Sequence, residues 1–395
     1  MIPLEEPPRP TPKPAFALWA LGFRPLYWFA ALFAALSVPL WTLQVTGWLA
    51  QPYLDGALWH AHEMLFGYTL AVIVGFLFTA GRNWSGQPTP TGAALAALVA
   101  LWVAGRVLVL TPWAWSAAAA NVAFPLVAAA ALARAFIAAR VTRNYFFIGL
   151  LLAMAAAAAG VHGQRLQLWD APAWIGVQIG LDIVLFIVAV MGGRVIPMFT
   201  NNGVPGAAAR RDERLEKLAL GSLLVLLAAD LLRLPAPVLA AIAVLAAGAH
   251  LARWWLWQPW TTTRTPLVWV LHLAYVWIPL HLLLRALALL DGPISASIAT
   301  HALTLGAIGG MTVGMMTRTA RGHTGRPLSA DHWDVACFVL IALAALVRVV
   351  LGGLWPAAYE VGLVLSAVLW SAGMAIFAWR FWPVLSRARV DGRPG

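Results

Sequence analysis

Long apolar blocks separated by short polar breaks run through almost the whole chain. A bilayer crossing needs about 20 mostly apolar residues in a helix. Twelve blocks meet that length, near residues 24–43, 58–80, 92–110, 116–139, 145–166, 173–197, 215–234, 237–257, 267–289, 294–317, 333–353 and 357–382. The pattern predicts an all-α fold, a polytopic membrane bundle of 12 transmembrane helices occupying residues 21–385. Residues 1–20 are expected to form a disordered cytoplasmic N-terminal tail and residues 386–395 a cytoplasmic C-terminal tail. The opening run MIPLEEPPRPTPKP is polar and proline-rich, unlike the short basic region and brief apolar core of a cleaved signal.

Composition strengthens this picture. The chain is 62% hydrophobic and 10% charged, against about 25% charged residues in soluble domains. Its one cysteine, Cys337, excludes an intramolecular disulfide, a CxxC redox pair and any thiolate zinc or iron–sulfur set. Metal ligands must therefore be nitrogen, oxygen or thioether. The net charge of +11 would suit nucleic acid, but the placement of the charges argues against that partner. With the N-terminus inside, only Arg106, Arg165, Arg233, Arg285 and Arg348 of the 26 Lys and Arg fall toward the outer side. This is the positive-inside pattern; it puts both termini in the cytoplasm and the basic surplus against anionic headgroups of the lipid bilayer.

The chain also matches itself. An offset of 239 residues brings His62 onto His301, Gly67 onto Gly306, Val74 and Gly75 onto Val313 and Gly314, Arg82 onto Arg321, Gly86 onto Gly325 and Pro88 onto Pro327. Spans 2 and 10 read as copies, and a fainter third copy at span 6 carries Gly192, Gly203 and Pro205 at the same spacing. Three groups of four helices, a pseudo-threefold repeat, would account for this. Ala302, Gly306, Gly310 and Gly314 leave one face of span 10 bare, suited to a close neighbouring helix or to a flat macrocycle.

Ionisable residues within spans are costly and mark function by default. The direction of each span puts His60, His62, Glu63, His162, His281 and His301 in the outer part of the bundle, from four separate helices. Neutral imidazole is a common metal ligand, so the convergence points to metal. At 100° per residue His60 and His62 point about 200° apart and serve different centres. On the repeat, His62 and His301 are expected to act as ligands together, as for a haem under the resemblance given below, leaving His60, His162 and His281 for a second metal centre. Glu63, Asp182 and Glu360 are candidate proton carriers, with Glu63, His60 and His162 the expected catalytic groups. Arg165 and Arg285 stand at outer span ends and suit haem propionates, although snorkelling to headgroups explains them as well. His272 lies nearer the inner side, where His323 among Arg318, Arg321 and Arg326 could ligate or bind an anion. A single intramembrane histidine also serves simply to bond a carbonyl across helices, the plainer role for His281 taken alone. His250, beside Arg253, Trp254 and Trp255, reads as an interfacial belt residue, as does His332.

At WHAHEMLFGY, GRVIPMFTNNGV, LHLAYVW and HALTLGAIGGMTVGMMTRTARGHTGRPL the sequence resembles the NnrS family, bacterial inner-membrane proteins associated with nitric oxide stress and denitrification. The resemblance implies twelve spans, haem and copper content and a role in nitric oxide defence. It carries His60, His62, His272, His301 and His323 over as cofactor-binding residues, with His162 in GVHGQR beside them. His281 stands where the family pattern has a small residue. The cofactors implied are haem b, one or two, and copper; the partners are nitric oxide and quinol or another electron donor. An oxidoreductase that reduces nitric oxide to nitrous oxide is the leading expectation. The rivals are a non-enzymatic protein that senses nitric oxide or handles haem or copper, and a transporter. No pair of unwound spans with charged ligands at the midplane speaks for the transporter.

Overall fold

The computed structural model describes residues 16–49 and 53–393. Among the described residues there are twelve long helices and no strand. They are α1 (Phe23–Val45), α2 (Gly56–Ser85), α3 (Gly92–Leu108), α4 (Ala114–Ala138), α5 (Phe146–Arg165), α6 (Ala173–Gly203), α7 (Glu213–Leu231), α8 (Ala236–Leu256), α9 (Pro266–Leu289), α10 (Ala296–His323), α11 (His332–Leu351) and α12 (Tyr359–Ser386). Each coincides with one of the twelve apolar blocks. Ten are long and apolar enough to cross a membrane; α3 is apolar but has 17 residues, and α7 opens on Glu213 and Glu216. The chain is an all-α polytopic membrane protein.

Helices α2 and α6 are the most enclosed, followed by α9 and α10 at 67% each. In its most apolar stretch α2 is 83% buried and α6 78%, against 39% for α12. Helix α6 packs on both α2 and α10, while the Tyr68 hydroxyl of α2 lies 2.7 Å from Thr312 Oγ1 of α10. These are the second helices of the three expected groups of four. The remaining helices wrap around them, and α1 packs along α12 to close the ring.

The repeat between α2 and α10 is visible in the backbone. Both helices widen into a π-helical turn, over Glu63–Thr69 and Ala302–Gly309, which begin at the same place under the 239-residue offset. Such turns occur chiefly at functional positions, because the extra residue re-aims the side chains around it. Gly86 and Gly325 then take left-handed φ values of 65° and 76° just beyond the two helices, a conformation glycine adopts without a Cβ clash. At α6 the likeness is weaker: it runs as an unbroken α-helix, and the left-handed glycine is Gly206. The bare face of α10 meets a helix. A Cβ at Gly306 would strike the Trp277 ring, one at Gly310 would strike Ala274 and one at Gly314 would strike Val270, all on α9.

The chain ends are fastened together on one face. Ala17 N–H donates to Ser386 O at 2.7 Å, and Arg24 donates to the carbonyls of Leu385 and Arg387. The ordered chain thus includes residues 16–20, which were expected to belong to a disordered tail; residues 1–15 lie outside the described ones. Past α12, Val390 N–H and the Arg389 guanidinium bond the carbonyls of Thr324 and His323.

On this same face Asp331 caps α11. Its side chain accepts from the N–H groups of Trp333 and Asp334, and Asp334 accepts from Asp331 N–H, a reciprocal box. Arg321 and Arg380 donate to Asp331 at 3.0 and 2.9 Å. Against a desolvation that pushes it up, the Asp334 N–H and the two guanidinium groups hold the Asp331 carboxyl below its ordinary value. A depressed folded-state value means stability present above the ordinary carboxylate range and lost as pH falls through the folded value. Asp331→Ala is expected to lower unfolding stability in detergent by about 1 kcal/mol through the lost cap. Asp331→Asn should keep the cap and flatten the acid limb of the stability–pH curve. An unchanged acid limb would count against this assignment.

Candidate metal centre

The widened turn of α2 places its two histidines against different helices. On one side the His60 ring faces His301 of α10, centroids 6.4 Å apart and planes 14° from parallel, with the Trp41 ring of α1 on His60 at 4.8 Å. On the other side His62 Nε2 lies 3.1 Å from His162 Nε2 of α5. The sequence expectation paired His62 with His301, and the structure crosses that pairing. The reason is rotational. Equivalent side chains of a rotational repeat point the same way around its axis, so His301 turns toward α2 while His62 turns toward the next group of helices.

Each of these rings is steered through its other nitrogen. His301 Nδ1–H donates to Ser297 O at 2.7 Å, leaving the Nε2 lone pair for a ligand. His62 Nδ1–H donates to Glu63 Oε1 at 2.7 Å, and Glu63 is paired at 3.0 Å with Arg106, which reaches in from α3 and also bonds Asn121 of α4. His162 Nδ1 lies 2.8 Å from the Tyr53 hydroxyl in the loop before α2. Burial pushes that phenol up to about 12, with Arg165 opposing, so the hydroxyl keeps its proton. Carboxylate, phenol and carbonyl partners behind a ligating imidazole fix its tautomer and raise its basicity. His60 Nδ1 is buried with no hydrogen-bond partner.

Two imidazole nitrogens on one ion, each bonded at about 2.0–2.1 Å, sit about 3.0–3.4 Å apart as adjacent ligands and about 4 Å apart on opposite sides. The His62–His162 spacing of 3.1 Å fits adjacent ligands of a single ion such as copper. The near-parallel His60–His301 pair, its ring centroids 6.4 Å apart, leaves a wider gap, where both imidazoles could hold a haem iron. Both donor sets are all-nitrogen and neutral, which suits haem iron and copper.

Residues 17–389 match the NnrS protein family. The chain belongs to the NnrS family. This family is linked to the nitric oxide response, and no curated protein matches the chain.

Several candidates marked by the sequence or by the NnrS motifs fall elsewhere. The expected centre of His60, His162 and His281 does not form, because His60 and His162 stand on opposite sides of α2. Among the described residues no group of three His, Cys, Asp or Glu converges on one point. His281 Nδ1–H donates to Ala299 O at 2.7 Å, and its Nε2 is buried with no hydrogen-bond partner. Arg285 is not free for a propionate, since Asp182 and Asp230 hold it at 3.0 and 2.6 Å. The same pairing occupies Asp182, an expected proton carrier, and Glu360 is exposed. Arg165 donates to Tyr53 O at 2.6 Å. His272 of α9 bonds Thr200 of α6 at 2.8 Å, and the His323 ring packs against Phe23 at 5.7 Å.

His250 is no belt residue. It is fully buried, donating from Nε2 to Ala219 O and accepting from the Tyr275 hydroxyl at 2.6 Å. Beside it Arg253 donates to both oxygens of Glu216, to Tyr275 and to Ala189 O. A Cβ at Gly193 would collide with that guanidinium. This is a structural network joining α6 to α9, with its polar groups satisfied.

Sequence reasoning missed Tyr53, Asn121 and the role of Arg106. Arg106 was marked only as an outer cation against the charge trend. An uncompensated arginine within a span is itself a signal that a buried carboxylate lies across from it.

Proposed function

We propose that this protein removes nitric oxide within the bilayer, reducing two molecules to nitrous oxide and water with two electrons and two protons. His60 and His301 would hold haem, and His62 with His162 a copper ion. The observation that carries this reading is the back-to-back placement of two imidazole pairs on one widened turn of α2. Haem held by both His60 and His301 would have no open position and would supply electron transfer, while copper held only by His62 and His162 would keep room to bind nitric oxide.

The protein's own groups orient and insulate. Ser297 O and Glu63 hold the proton on Nδ1 of His301 and His62, so each Nε2 faces inward as a donor. Trp41 covers one face of His60, and the His62–His162 pair is fully buried, while His60 and His301 are half-buried. Nitric oxide is small, uncharged and lipid-soluble, so a buried site needs no wide entrance. Glu63, though paired with Arg106, is the carboxyl in direct contact with the ligand pair through His62 and would be the group there to carry protons. Electrons would come from quinol or a separate donor. The family and the charge pattern favour the bacterial inner membrane with both termini cytoplasmic.

Anaerobic addition of nitric oxide to reduced, detergent-purified protein, with spectra and nitrous oxide recorded together, tests the reading. A shifted Soret band with nitrous oxide formation is expected. A spectral change without turnover would leave only sensing or metal handling, and no response at all would overturn the haem site.

A further inference from the structure

Arg348, near the C-terminal end of α11, is itself 6% exposed, although Ser297 and Tyr359 beside it reach the surface. A buried cation costs several kcal/mol unless an anion faces it. Three other buried arginines, Arg106, Arg253 and Arg285, each have a carboxylate, namely Glu63, Glu216 and the Asp182–Asp230 pair. Among the described residues no carboxylate lies within ion-pair distance of Arg348. Its Nη2 donates to the Tyr359 hydroxyl at 3.1 Å and to Ser297 Oγ at 3.3 Å, both neutral, and its Nη1 is buried with no hydrogen-bond partner.

The backbone makes room for this arrangement. Helix α11 widens into a π-helical turn over Val347–Leu351, and a Cβ at Gly352 would come within 2.8 Å of Arg348 Nη1. Ser297 links the arginine to the ligand pair: its Oγ receives Arg348 while its carbonyl receives His301 Nδ1–H.

We infer that Arg348, with Ser297 and Tyr359, forms a binding station for one carboxylate-type oxyanion beside the His60–His301 pair. Guanidinium presents a planar fork matched to a carboxylate, and with Nη2 already held by two hydroxyls, Nη1 is the donor left for it. The inference rests on the haem reading proposed above, in which the oxyanion is a haem propionate. Arg285, the sequence candidate for that role, is already neutralised, which leaves Arg348 to take it. A free oxyanion such as nitrite has the same chemistry and is the other source.

The test uses full-length protein in detergent, stripped of haem and reloaded with either haem or haem dimethyl ester, in which both propionates are blocked. Retention is read from the Soret band and bound haem content. Arg348→Gln is expected to weaken haem retention by at least about tenfold, with Arg348→Lys between it and the parent. The dimethyl ester should bind the parent protein as weakly as haem binds Arg348→Gln, and should be indifferent to the substitution. If the ester binds the parent normally while nitrite shifts the parent Soret band and not that of Arg348→Gln, the station stands and its occupant is a free anion. Equal retention of haem and ester by the parent and by both variants, with no response to nitrite, overturns the inference. A parent protein that binds no haem at all overturns the haem reading instead. The ester arm needs no mutation, so it decides the matter even if Arg348→Gln fails to fold.

Discussion

On the proposed assignment, alanine at His60 or at His301 is expected to abolish haem absorption and nitric oxide consumption, while alanine at His62 or His162 should remove copper and leave a Soret band. The contrast follows from the two faces of α2. His60 and His301 lie ring to ring at 6.4 Å, and His62 and His162 meet at 3.1 Å on the other side. Loss of an orienting partner alone usually costs 10–100-fold in metal affinity or activity, so loss of a ligand should exceed that. Bound haem, bound copper and nitrous oxide formation measured on all four variants check it. A Soret band that survives in the His60→Ala/His301→Ala double variant, or vanishes in His62→Ala, would sink this assignment.

The second large effect is expected at a glycine. A Cβ at Gly67 would fall on Nη1 of Arg106, so Gly67→Ala must displace the guanidinium from Glu63 and Asn121. Glu63 is fully buried and would then be a lone carboxylate at membrane depth. Breaking a buried pair from one side costs about 3–5 kcal/mol, whereas replacing both partners with apolar groups is often near neutral. Gly67→Ala and Arg106→Leu should each lower unfolding stability in detergent by roughly that amount. Adding Glu63→Leu to Arg106→Leu should restore much of it. Orientation of His62 would still suffer in the restored double variant, because its Nδ1 partner is gone, so copper content should stay low when stability returns. Additive losses in the double variant would refute the coupling.

The reach of the sequence differed from feature to feature for physical reasons. Span positions were legible because a crossing helix must satisfy its backbone internally and cover itself with apolar side chains for about 20 residues. The relation between α2 and α10 was legible too, because glycines mark close helix contacts and left-handed turns that no other residue replaces cheaply. Gly314 and Gly325 fill such roles in α10, as Gly75 and Gly86 do in α2. The third copy was fainter in the sequence and is fainter in the backbone, where α6 has no widened turn.

Partner choice among the histidines was a different matter. The repeat correctly related His62 to His301 in sequence, but relatedness under rotation is not contact. Facing depends on how each helix is turned about its own axis, and π-helical turns at Glu63–Thr69 and Ala302–Gly309 alter that turn locally. Hydropathy cannot register one added backbone residue. The arginines show the same limit. Arg106, Arg285 and Arg348 are alike in sequence, each an outer cation at odds with the charge trend. Only packing separates Arg106 and Arg285, whose charges are met by Glu63 and by the Asp182–Asp230 pair, from Arg348, which faces two hydroxyls.

By itself the sequence determined that this is a twelve-helix membrane protein with several histidines inside its spans, that two of its central helices are copies, and that its motifs are those of the NnrS family. Those properties follow from one-dimensional quantities: the length of apolar runs, residue chemistry and spacing. The tertiary structure alone decided which imidazoles face each other, which ionisable groups are already neutralised and where a buried positive charge has none. Those depend on the rotation and local winding of helices brought together from distant parts of the chain, and the energy of a buried charge is set by what those helices place within a few ångströms of it.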